Sequence, residues 1–452
     1  MSIHVPDDRH FPEALERAGF RGTLARDLAA RVSVLGGELR RQRTGVRAWE
    51  AWYVPGRIEI LGKHTDYAGG RSLICAVERG IAAVSATRED GRLIVTDTRR
   101  QASVVLDPGE PAPAISWTTY PATVAARLRR NFPERIRGAD VLFESDLPSS
   151  SGMSTSSALM IAVLLALARA SRLDADRDWG ANIRNDEDLA AYAATIENGS
   201  AFRQLEGDAG VGTRGGSEDH TAILCSRPER VAQYSFRPTR HERSIALASE
   251  LVFAIGVSGV RAQKTGNARE DYNRAARSVE RILELWRSAT ARTDATLAEA
   301  IASAPDGIAQ VRAIVRAQEP ALVDRFEQFV EESMTLVPLG GDQLERGQLD
   351  AFGTTVDRSQ YLAERLLGNQ VPETISLARL ARDHGAFAAS AFGAGFGGSV
   401  WALVSSADAD CFLDRWQNAY AAAHSQAAAR STFFLTRPGP AALGVSVGAG
   451  TM

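Results

Sequence analysis

The chain has 452 residues, of which 44% are hydrophobic and 24% charged, and its formal net charge is −3. This composition is that of a folded globular protein and excludes a largely disordered chain. The near-neutral charge gives no electrostatic reason to expect nucleic acid or an anionic membrane as a partner, so we expect a small-molecule ligand. A single hydrophobic core rarely organises this many residues, which predicts two domains with a ligand cleft between them.

The cysteines and the apolar runs bear on where the protein works. Cys75, Cys225 and Cys411 are scattered and form no Cys-x-x-Cys pair. They indicate neither a disulfide framework nor a structural zinc site, and they favour a reducing compartment. Residues 1–12 lack the apolar segment of a signal peptide, and the longest apolar run, residues 158–168, is too short to cross a bilayer. The expected location is cytoplasmic, without a membrane partner.

Hydrophobic periodicity in the first half of the chain predicts a helix followed by a sheet. Apolar residues recur every three to four positions over residues 12–43, as on one face of a helix. A buried helix is expected over residues 154–170 and another over 186–198, and the Gly-rich segment 207–217 is interpreted as a connection that can approach a ligand closely. Short apolar runs between Gly or charged turns predict strands at 52–54, 57–61, 72–77, 81–86 and 93–96.

The second half of the chain predicts a helix-rich domain around a smaller sheet. Strands are expected there at residues 250–256, 399–404 and 443–447. The domain boundary is placed near residue 228, which gives domains at 1–227 and 228–452. Amphipathic patterns with charged outer faces predict helices at 269–287, 296–302, 308–330, 348–367 and 373–383.

A Ser- and Gly-rich loop, residues 148–158, runs directly into the buried helix. Free backbone N–H groups and the positive end of the helix dipole would converge at this point and form an anion pocket. Small residues let the main chain approach a polyphosphate, and a hydroxyl in the first helical turn can reach a magnesium ion. The simpler alternative is a core helix with a serine cap.

Two further segments combine polar residues or glycines with apolar strands. Residues 55–67 gather Arg57, His64 and Asp66 around an apolar run, and polar groups at a strand end commonly hold a ligand. They do not form a Walker loop, because His64 stands where Ser or Thr is required. Residues 393–398 match Gly-x-Gly-x-x-Gly, but a strand-like run follows them, whereas a dinucleotide-binding turn requires a helix.

Taken in chain order, residues 55–67, 148–158 and 393–398 resemble the motif set of the GHMP small-molecule kinases. Residues 55–67 resemble the galactokinase signature Gly-Arg-Val-Asn-Leu-Ile-Gly-Glu-His-Thr-Asp-Tyr. The resemblance spans residues 55 to about 403 and implies an α+β fold, with a mixed-sheet N-terminal domain, a ferredoxin-like helix-rich C-terminal domain and an active site between them. It also implies ATP and Mg²⁺, and transfer of the γ-phosphoryl group to the anomeric hydroxyl of a galactose-like monosaccharide.

The phosphate loop of the family has the form Pro-x-Gly-x-Gly-Leu-x-Ser-Ser-Ala. Residues 148–158 follow it, with Ser150 in place of the first Gly and Met153 in place of Leu. A Gly-rich turn like residues 393–398 closes on the nucleotide in these kinases. The resemblance therefore implies ATP contacts from Ser150, Ser151, Gly152, Met153, Ser154, Thr155, Ser156, Gly395 and Gly397.

The resemblance also implies catalytic and metal-binding residues. Asp219, within residues 215–220, matches the carboxylate that accepts the proton of the anomeric hydroxyl. Arg57 would neutralise charge on the transferring phosphoryl group. Ser156 and Glu197 would hold Mg²⁺ through hard oxygen ligands. Glu206 remains an alternative to Glu197, because the spacer before Asp219 is longer than is usual in the family.

The implied sugar-binding residues are Lys63, His64, Asp66, Tyr67 and Tyr272. Lys63 replaces a Glu that in galactokinases accepts a hydrogen bond from the C6 hydroxyl, and an ammonium group is a donor only. A galactose-like sugar is expected, and the alternative is a uronic acid such as galacturonate, whose carboxylate would pair with Lys63. A non-catalytic sensor that binds sugar and ATP is a second alternative, and the retained catalytic residues argue against it.

Overall fold

The computed structural model describes residues 2–5, 10–108, 117–149, 151–260 and 267–448. Within these ranges the strands are β1 (Ser2–Val5), β2 (Ala48–Leu61), β3 (Arg71–Arg88), β4 (Leu93–Asp97), β5 (Ala102–Leu106), β6 (Gly138–Ser145), β7 (Arg230–Ser235), β8 (Arg240–Ala246), β9 (Leu251–Val257), β10 (Ala388–Phe392), β11 (Ser399–Ser405), β12 (Thr432–Thr436) and β13 (Leu443–Gly448).

The helices of the described residues are α1 (Phe11–Arg17), α2 (Gly22–Gln42), α3 (Thr119–Asn131), α4 (Thr155–Ala170), α5 (Arg177–Asn182), α6 (Asp186–Asn198), α7 (Glu218–Cys225), α8 (Asn267–Thr290), α9 (Leu297–Ala302), α10 (Gly307–Gln318), α11 (Val323–Glu331), α12 (Val337–Glu345), α13 (Leu349–Leu362), α14 (Pro372–Asp383), α15 (Ala409–Ala423) and α16 (Ser425–Ala428). Short 3₁₀ turns lie at Asp66–Ala68, Leu173–Ala175 and Pro320–Leu322, and π-helical turns at Glu332–Leu336 and Ala363–Leu367.

The larger sheet is mixed and has the strand order β1-β13-β2-β3-β6-β4-β5, with β7 and β8 continuing beside β3. The pairs β1–β13 and β4–β6 are parallel, and the remaining pairs are antiparallel. Four of the expected short strands belong to two long strands. Residues 52–54 and 57–61 both lie in β2, which has 14 residues, and residues 72–77 and 81–86 both lie in β3, which has 18. The Pro55–Gly56 pair, interpreted from sequence as a break, makes a register shift between Pro55 and Arg57 instead.

Helices cover both faces of the larger sheet, so that β2 and β3 are buried on both sides. Alternate residues of β3 divide between two apolar clusters: Cys75 and Ile81 face the side that holds α3, α4 and α6, whereas Ala82 and Val84 face α1 and α2. Helix α4 is almost wholly apolar because it packs between the sheet and its neighbouring helices.

The smaller sheet is antiparallel, with the order β10-β11-β9-β12. The chain reaches these strands as strand–helices–strand–strand–helix–strand, which confirms the ferredoxin-like expectation and, with the mixed larger sheet, the α+β class. Trp416 of α15 and Leu377 of α14 cover one face. Phe352 of α13 covers the other, where it stacks on Trp401 of β11 at 6.4 Å between ring centroids.

One strand assignment from sequence is wrong. Residues 443–447 were expected in the smaller sheet, but β13 pairs with β2 in the larger one, where Leu443 lies opposite Tyr53. Strands β7 and β8 also join the larger sheet through β3. The division into 1–227 and 228–452 stays a prediction, and sheet membership crosses it. A local apolar pattern indicates a strand but does not identify its partner, because the pairing is decided by distant residues.

The helices expected from periodicity are present, but some are divided and others were not expected. Residues 12–43, expected as one helix, form α1 and α2, which are separated by a turn at Gly19. Helices α3 and α15 were not expected. Residues 308–330 form two helices, α10 and α11, because Pro320 lacks an N–H and begins a separate turn. Helix α12 was not predicted, since Pro338, Gly340 and Gly341 weaken its helical signal. Among the helices that the structure describes, none is both long and apolar enough to cross a membrane.

The contact between α2 and the larger sheet predicts opposite effects for two adjacent glycines. A Cβ atom at Gly36 would lie 2.7 Å from the Trp49 ring, whereas one at Gly37 would meet only the end of Arg41 at 3.6 Å. Gly36→Ala should lower the free energy of unfolding by about 1–3 kcal/mol through overpacking. Gly37→Ala, the matched control, should raise it by up to about 1 kcal/mol through helix propensity. Urea unfolding of both variants checks this, and equal effects at the two positions would contradict the packing.

Candidate active site

A cavity of about 940 Å³ opens between the larger sheet, the first turns of α4 and α7, and the loop 393–398 that joins β10 to β11. Part of its wall is aromatic: Trp117 packs edge-on against Phe143, with 6.1 Å between the ring centroids. The cavity collects residues from every motif identified in the sequence. The predicted site residues that line it are Arg57, His64, Asp66, Tyr67, Ser151, Gly152, Ser154, Thr155, Ser156, Glu197, Asp219 and Gly395.

The Ser-rich loop presents polar groups to the cavity immediately before α4. Gly152 and Ser154 both have positive φ angles, +74° and +60°, and the loop turns sharply into the helix at Thr155. The hydroxyl oxygens of Ser151 and Ser154 are buried and have no hydrogen-bond partner among the residues that the structure describes. Buried polar atoms without partners at a helix N-terminus fit an anionic ligand, as the phosphate-loop interpretation requires.

Three of the predicted ATP-binding residues are not shown at the cavity. Ser150 lies outside the described residues. The Met153 side chain is fully buried in the core, and its carbonyl accepts a hydrogen bond from the Arg57 backbone N–H at 3.3 Å. Gly397 is absent from the described residues that line the cavity, whereas its neighbour Gly395 is among them. The apolar Met153 therefore packs beneath the loop, and only the loop's polar side meets the cavity.

The two Gly-rich loops touch each other across the cavity. A Cβ atom at Gly393 would lie 2.7 Å from the Gly152 carbonyl oxygen, so the approach requires a glycine. The Ser399 hydroxyl donates to the Ser151 carbonyl at 2.7 Å. The smaller sheet thereby holds the phosphate loop in place.

Arg57 and Asp219 form a partly buried ion pair. The Arg57 Nε donates to Asp219 Oδ1 at 2.7 Å, and Nη1 donates to the Gly152 carbonyl. The Arg57 side chain is 4% exposed and that of Asp219 is 21% exposed. Burial lowers the pKa of Arg57, but the carboxylates of Asp219, Glu218 and Glu59 outweigh it and raise the pKa, so the guanidinium stays charged.

His64 belongs to a chain of hydrogen bonds that joins residues 55–67, the signature segment, to the loop 393–398 of the smaller sheet. Its Nε2 lies 3.2 Å from the Ala394 carbonyl, and its Nδ1 lies 3.0 Å from the Tyr67 hydroxyl. Because a carbonyl only accepts, Nε2 must donate to Ala394. Arg325 of α11 in turn donates to the Tyr67 oxygen at 3.1 Å. Burial raises the pKa of Tyr67 to about 12, which keeps it a donor.

Asp66 holds the first turn of α7 against the signature segment. Its Oδ2 accepts from the Glu218 backbone N–H at 3.1 Å, and its Oδ1 accepts from the Tyr67 backbone N–H at 2.8 Å. Burial raises the pKa of Asp66, and the bond from the Glu218 N–H opposes this rise. A Cβ atom at Gly216 would lie 2.4 Å from Asp66 Oδ2, so a larger residue would push this carboxylate out of place.

Glu197 at the end of α6 is the better of the two candidate metal ligands. It is buried and lines the cavity together with Ser156. Ser157 donates to its Oε2 at 2.9 Å, and His220 Nε2 lies 3.3 Å from the same oxygen. The rival Glu206 is 77% exposed, and it pairs with Arg130 outside the cavity.

The residue pattern around Glu197 fits a cation that also has ligands from a bound nucleotide. No group of three or more His, Cys, Asp or Glu side chains in the described part of the chain could hold a metal by itself. One carboxylate and one hydroxyl, as Glu197 and Ser156 provide, match the incomplete protein ligand sets that Mg²⁺ uses when phosphates supply further oxygens.

The expected contact of Lys63 with the sugar stays a prediction, and the structure directs this side chain to a different partner. Lys63 is not among the described residues that line the cavity, although His64 is. Its buried Nζ donates to Ser359 of α13 at 3.0 Å, and its carbonyl accepts from Gln328 at 3.1 Å. His64 has a φ of +57°, so the chain turns here and sends the two side chains to different sides. The galacturonate alternative, which rested on Lys63, loses its basis.

A pair of carboxyl groups beside Arg57 was not identified from the sequence. Glu59 and Glu218 are 4% and 5% exposed, both line the cavity, and their carboxyl groups are hydrogen-bonded to each other. Burial raises the pKa of Glu59 from its usual 4.5 to about 7, and burial, Glu59 and Asp66 raise the pKa of Glu218 well above its usual value. The sequence feature that could have identified this pair is a charged residue, Glu59, between the apolar residues Ile58 and Ile60.

Tyr272 remains a prediction. Its backbone lies in α8, but its side chain lies outside what the structure describes.

Three family models match separate parts of the chain, and the matched residues add up to just over half of it. The model of the galactokinase galactose-binding signature matches residues 41–87. The GHMP kinases N-terminal domain matches residues 119–226, and the GHMP kinases C-terminal model matches residues 342–422. Their order is that of the motifs in the sequence.

Curated relatives of the chain include bacterial galactokinases. The enzyme of Glaesserella parasuis is 33% identical over 124 residues, which are 27% of this chain and 32% of that protein. The enzyme of Actinobacillus succinogenes is 40% identical over 114 residues, which are 25% of this chain and 30% of that protein. The chain thus matches about a third of the length of these relatives. Galactokinase of Streptomyces coelicolor is 27% identical over 402 residues, 86% of this chain and 92% of that protein.

Solved structures share the fold. Lactococcus lactis galactokinase complexed with galactose has a TM-score of 0.76 at 19% identity, and the match covers 91% of this chain and 99% of that one. L. major mevalonate kinase in complex with R-mevalonate has a TM-score of 0.53 at 15% identity, with 86% and 95% covered. The larger and smaller sheets are therefore arranged as in these kinases.

The raised pKa of Glu59 predicts a pH-dependent stability. Since that pKa is about 7 in the folded protein and 4.5 usually, the folded state binds more protons between these pH values, and stability falls as pH rises through this window. Glu59→Gln should therefore raise the unfolding temperature at pH 8 more than at pH 5. Thermal unfolding across this range checks it, with Glu89→Gln, at an exposed glutamate, as control. A difference between variant and wild type that does not change with pH would contradict the buried carboxyl pair.

Proposed function

The chain belongs to the GHMP kinase family, and on this basis we propose that it transfers the γ-phosphoryl group of ATP to the anomeric hydroxyl of a galactose-like monosaccharide, giving a sugar 1-phosphate and ADP. The observation that carries the proposal is the partly buried pair of Arg57 and Asp219 in the same cavity as the Ser-rich loop. Phosphoryl transfer requires mainly positioning and charge stabilisation, and this arrangement supplies both.

The nucleotide would occupy the part of the cavity between the Ser-rich loop and the aromatic wall. The hydroxyls of Ser151 and Ser154 have no hydrogen-bond partner within the described ranges, which supports their use as donors to phosphate oxygens. Thr155 and Ser156 line the cavity in the first turn of α4, and the helix dipole favours an anion at this N-terminal end. The side chains of Trp117 and Phe143 give an apolar surface suited to a nucleobase.

Asp219 would act as the base toward the sugar. It lies in the first turn of α7, and Arg57 holds its Oδ1 at 2.7 Å, so its position is set before the sugar binds. A carboxylate placed in this way accepts the proton from the attacking hydroxyl. The Arg57 guanidinium, which also donates to the Gly152 carbonyl of the phosphate loop, would stabilise charge on the group in transfer.

Mg²⁺ would be held by Ser156 and Glu197 together with phosphate oxygens. The metal would neutralise negative charge on the phosphates. Ser157 restrains the Glu197 carboxylate through its 2.9 Å hydrogen bond, so it is a positioning residue for this ligand.

The sugar would lie against the signature segment, where His64, Asp66 and Tyr67 line the cavity. Galactose is the first sugar to test, because the matched signature is described as galactose-binding and the L. lactis relative was solved with galactose. The intact catalytic pair supports an enzyme over a non-catalytic sensor. A cytoplasmic location remains a prediction.

Removal of the proposed base should slow turnover strongly. Wild type should release ADP in the presence of galactose, tested beside arabinose, N-acetylgalactosamine and galacturonate. Asp219→Ala should lower kcat by about 10²–10⁴-fold, the usual contribution of a general base. A coupled ADP assay measures this, and nucleotide binding by calorimetry shows whether the variant is folded. Asp174→Ala, at an exposed carboxylate outside the cavity, is the matched control. Silence of the wild type with every sugar would favour the sensor.

The metal assignment predicts different effects for two glutamates. Glu197→Gln removes a charged oxygen from the proposed site and should raise the Mg²⁺ concentration for half-maximal activity at least about tenfold, which corresponds to 1.4 kcal/mol. Ser157→Ala should shift it in the same direction by less, because the ligand remains but is less restrained. Titration of activity with Mg²⁺ tests both. If Glu206→Gln produced the shift and Glu197→Gln did not, the assignment would pass to Glu206.

A further inference from the structure

Glu59 is a charged residue placed inside an apolar strand and turned into the cavity. Its neighbours in β2, Ile58 and Ile60, are fully buried in the core. Successive side chains of a strand alternate between faces, so Glu59 shares the face of Arg57. It lines the cavity at 4% exposure, and its Oε1 is buried without a hydrogen-bond partner in the described part of the chain. A buried carboxyl oxygen without a partner costs free energy unless a ligand satisfies it.

Glu218 makes this part of the cavity wall a carboxyl pair. It comes from the first turn of α7, its carboxyl group is hydrogen-bonded to that of Glu59, and Ser72 donates to its Oε2. Both carboxyl groups line the same cavity. Two carboxyl groups can bond to each other only while they share a proton, so a ligand that supplies a donor could replace that proton.

Carboxyl groups outnumber cations around this pair. Asp66 and Asp219 also line the cavity and raise the pKa of Glu218. Arg57 pairs with Asp219 and also lowers the pKa of Glu59 and Glu218. Lys63 donates to Ser359 and is not among the described residues that line the cavity, but its charge lowers the pKa of Glu59. A ligand carboxylate would meet like charges beside this pair, whereas a ligand donor or cation would be attracted to it.

We propose that Glu59 is a specificity-determining residue, whose Oε1 accepts a hydrogen bond from the sugar, and that the Glu59–Glu218 pair makes the site prefer an amino sugar to a neutral sugar and a neutral sugar to a uronic acid. The inference rests on the proposed function and names the substrate class of that site. An ammonium group offers Oε1 a charge-assisted hydrogen bond, which is stronger than the bond a hydroxyl offers.

Differences from the galactokinase motifs support the inference. Glu59 stands where the signature has an Asn, and Glu218 stands where Cys-Gly-Ile-Met-Asp-Gln has a Met. At these two positions the chain thus has carboxyl groups in place of neutral side chains, and the two carboxyl groups lie next to each other in the cavity lining. An amide can donate or accept, whereas an ionised carboxylate can only accept, so the replacement at residue 59 selects for donors on the ligand.

The test compares three sugars that differ at one functional group. Galactose, 2-amino-2-deoxygalactose and galacturonate are titrated into the full-length chain by calorimetry, with an inert ATP analogue present, and ADP release is measured in parallel with ATP. Wild type is compared with Glu59→Gln, which keeps the size of the side chain and removes its charge. Glu89→Gln, on an exposed glutamate paired with Arg137, is the matched control.

Wild type should bind the amino sugar at least about tenfold more tightly than galactose, a difference of 1.4 kcal/mol, and galacturonate more weakly than galactose. Glu59→Gln should reduce the preference for the amino sugar at least tenfold and raise the relative affinity for galacturonate, while Glu89→Gln changes neither. Equal sugar preferences in wild type and Glu59→Gln would overturn the inference. Binding that depends on Glu59 without ADP release from any sugar would instead overturn the proposed function and leave the inference standing.

Discussion

The ion pair between Arg57 and Asp219 is the interaction on which the site depends. It joins β2 to the first turn of α7, and Nη1 of Arg57 donates to the carbonyl of Gly152 in the phosphate loop. Three segments far apart in the chain are therefore held around one guanidinium. Breaking a buried pair by removing one partner leaves an uncompensated charge, so the fold and the site share this constraint.

The smaller sheet completes the site through contacts rather than through catalytic side chains. Its loop 393–398 approaches the phosphate loop where Gly393 meets Gly152, and Ser399 bonds the carbonyl of Ser151. The Ala394 carbonyl of the same loop accepts a hydrogen bond from His64 Nε2. The orientation of a residue in the sugar signature is thus set by the second sheet. A change in the packing of that sheet would be transmitted to the nucleotide side and to the sugar side together.

The cavity concentrates groups that the fold would not retain for stability alone. Glu59 and Glu218 are buried carboxyl groups with raised pKa values, and the hydroxyls of Ser151 and Ser154 have no partners in the part of the chain that the structure describes. Each of these features costs stability in the free protein. All of them border the same cavity, which is the pattern expected where a polar ligand supplies the missing partners.

Local patterns in the sequence predicted most of the elements and of the chemical groups. Periodicity located α2, α4 and α6, and the motifs contained Arg57 and the Ser-rich loop, because helix faces and loop glycines are properties of neighbouring residues. Asp219 followed from the resemblance of residues 215–220 to the family. Tertiary contacts set the pairing of β13 with β2, the direction of Lys63 toward Ser359 and the contact of Glu59 with Glu218. Strand pairing, side-chain direction and the electrostatic environment of a buried group arise between residues that are distant in sequence, so no local pattern records them.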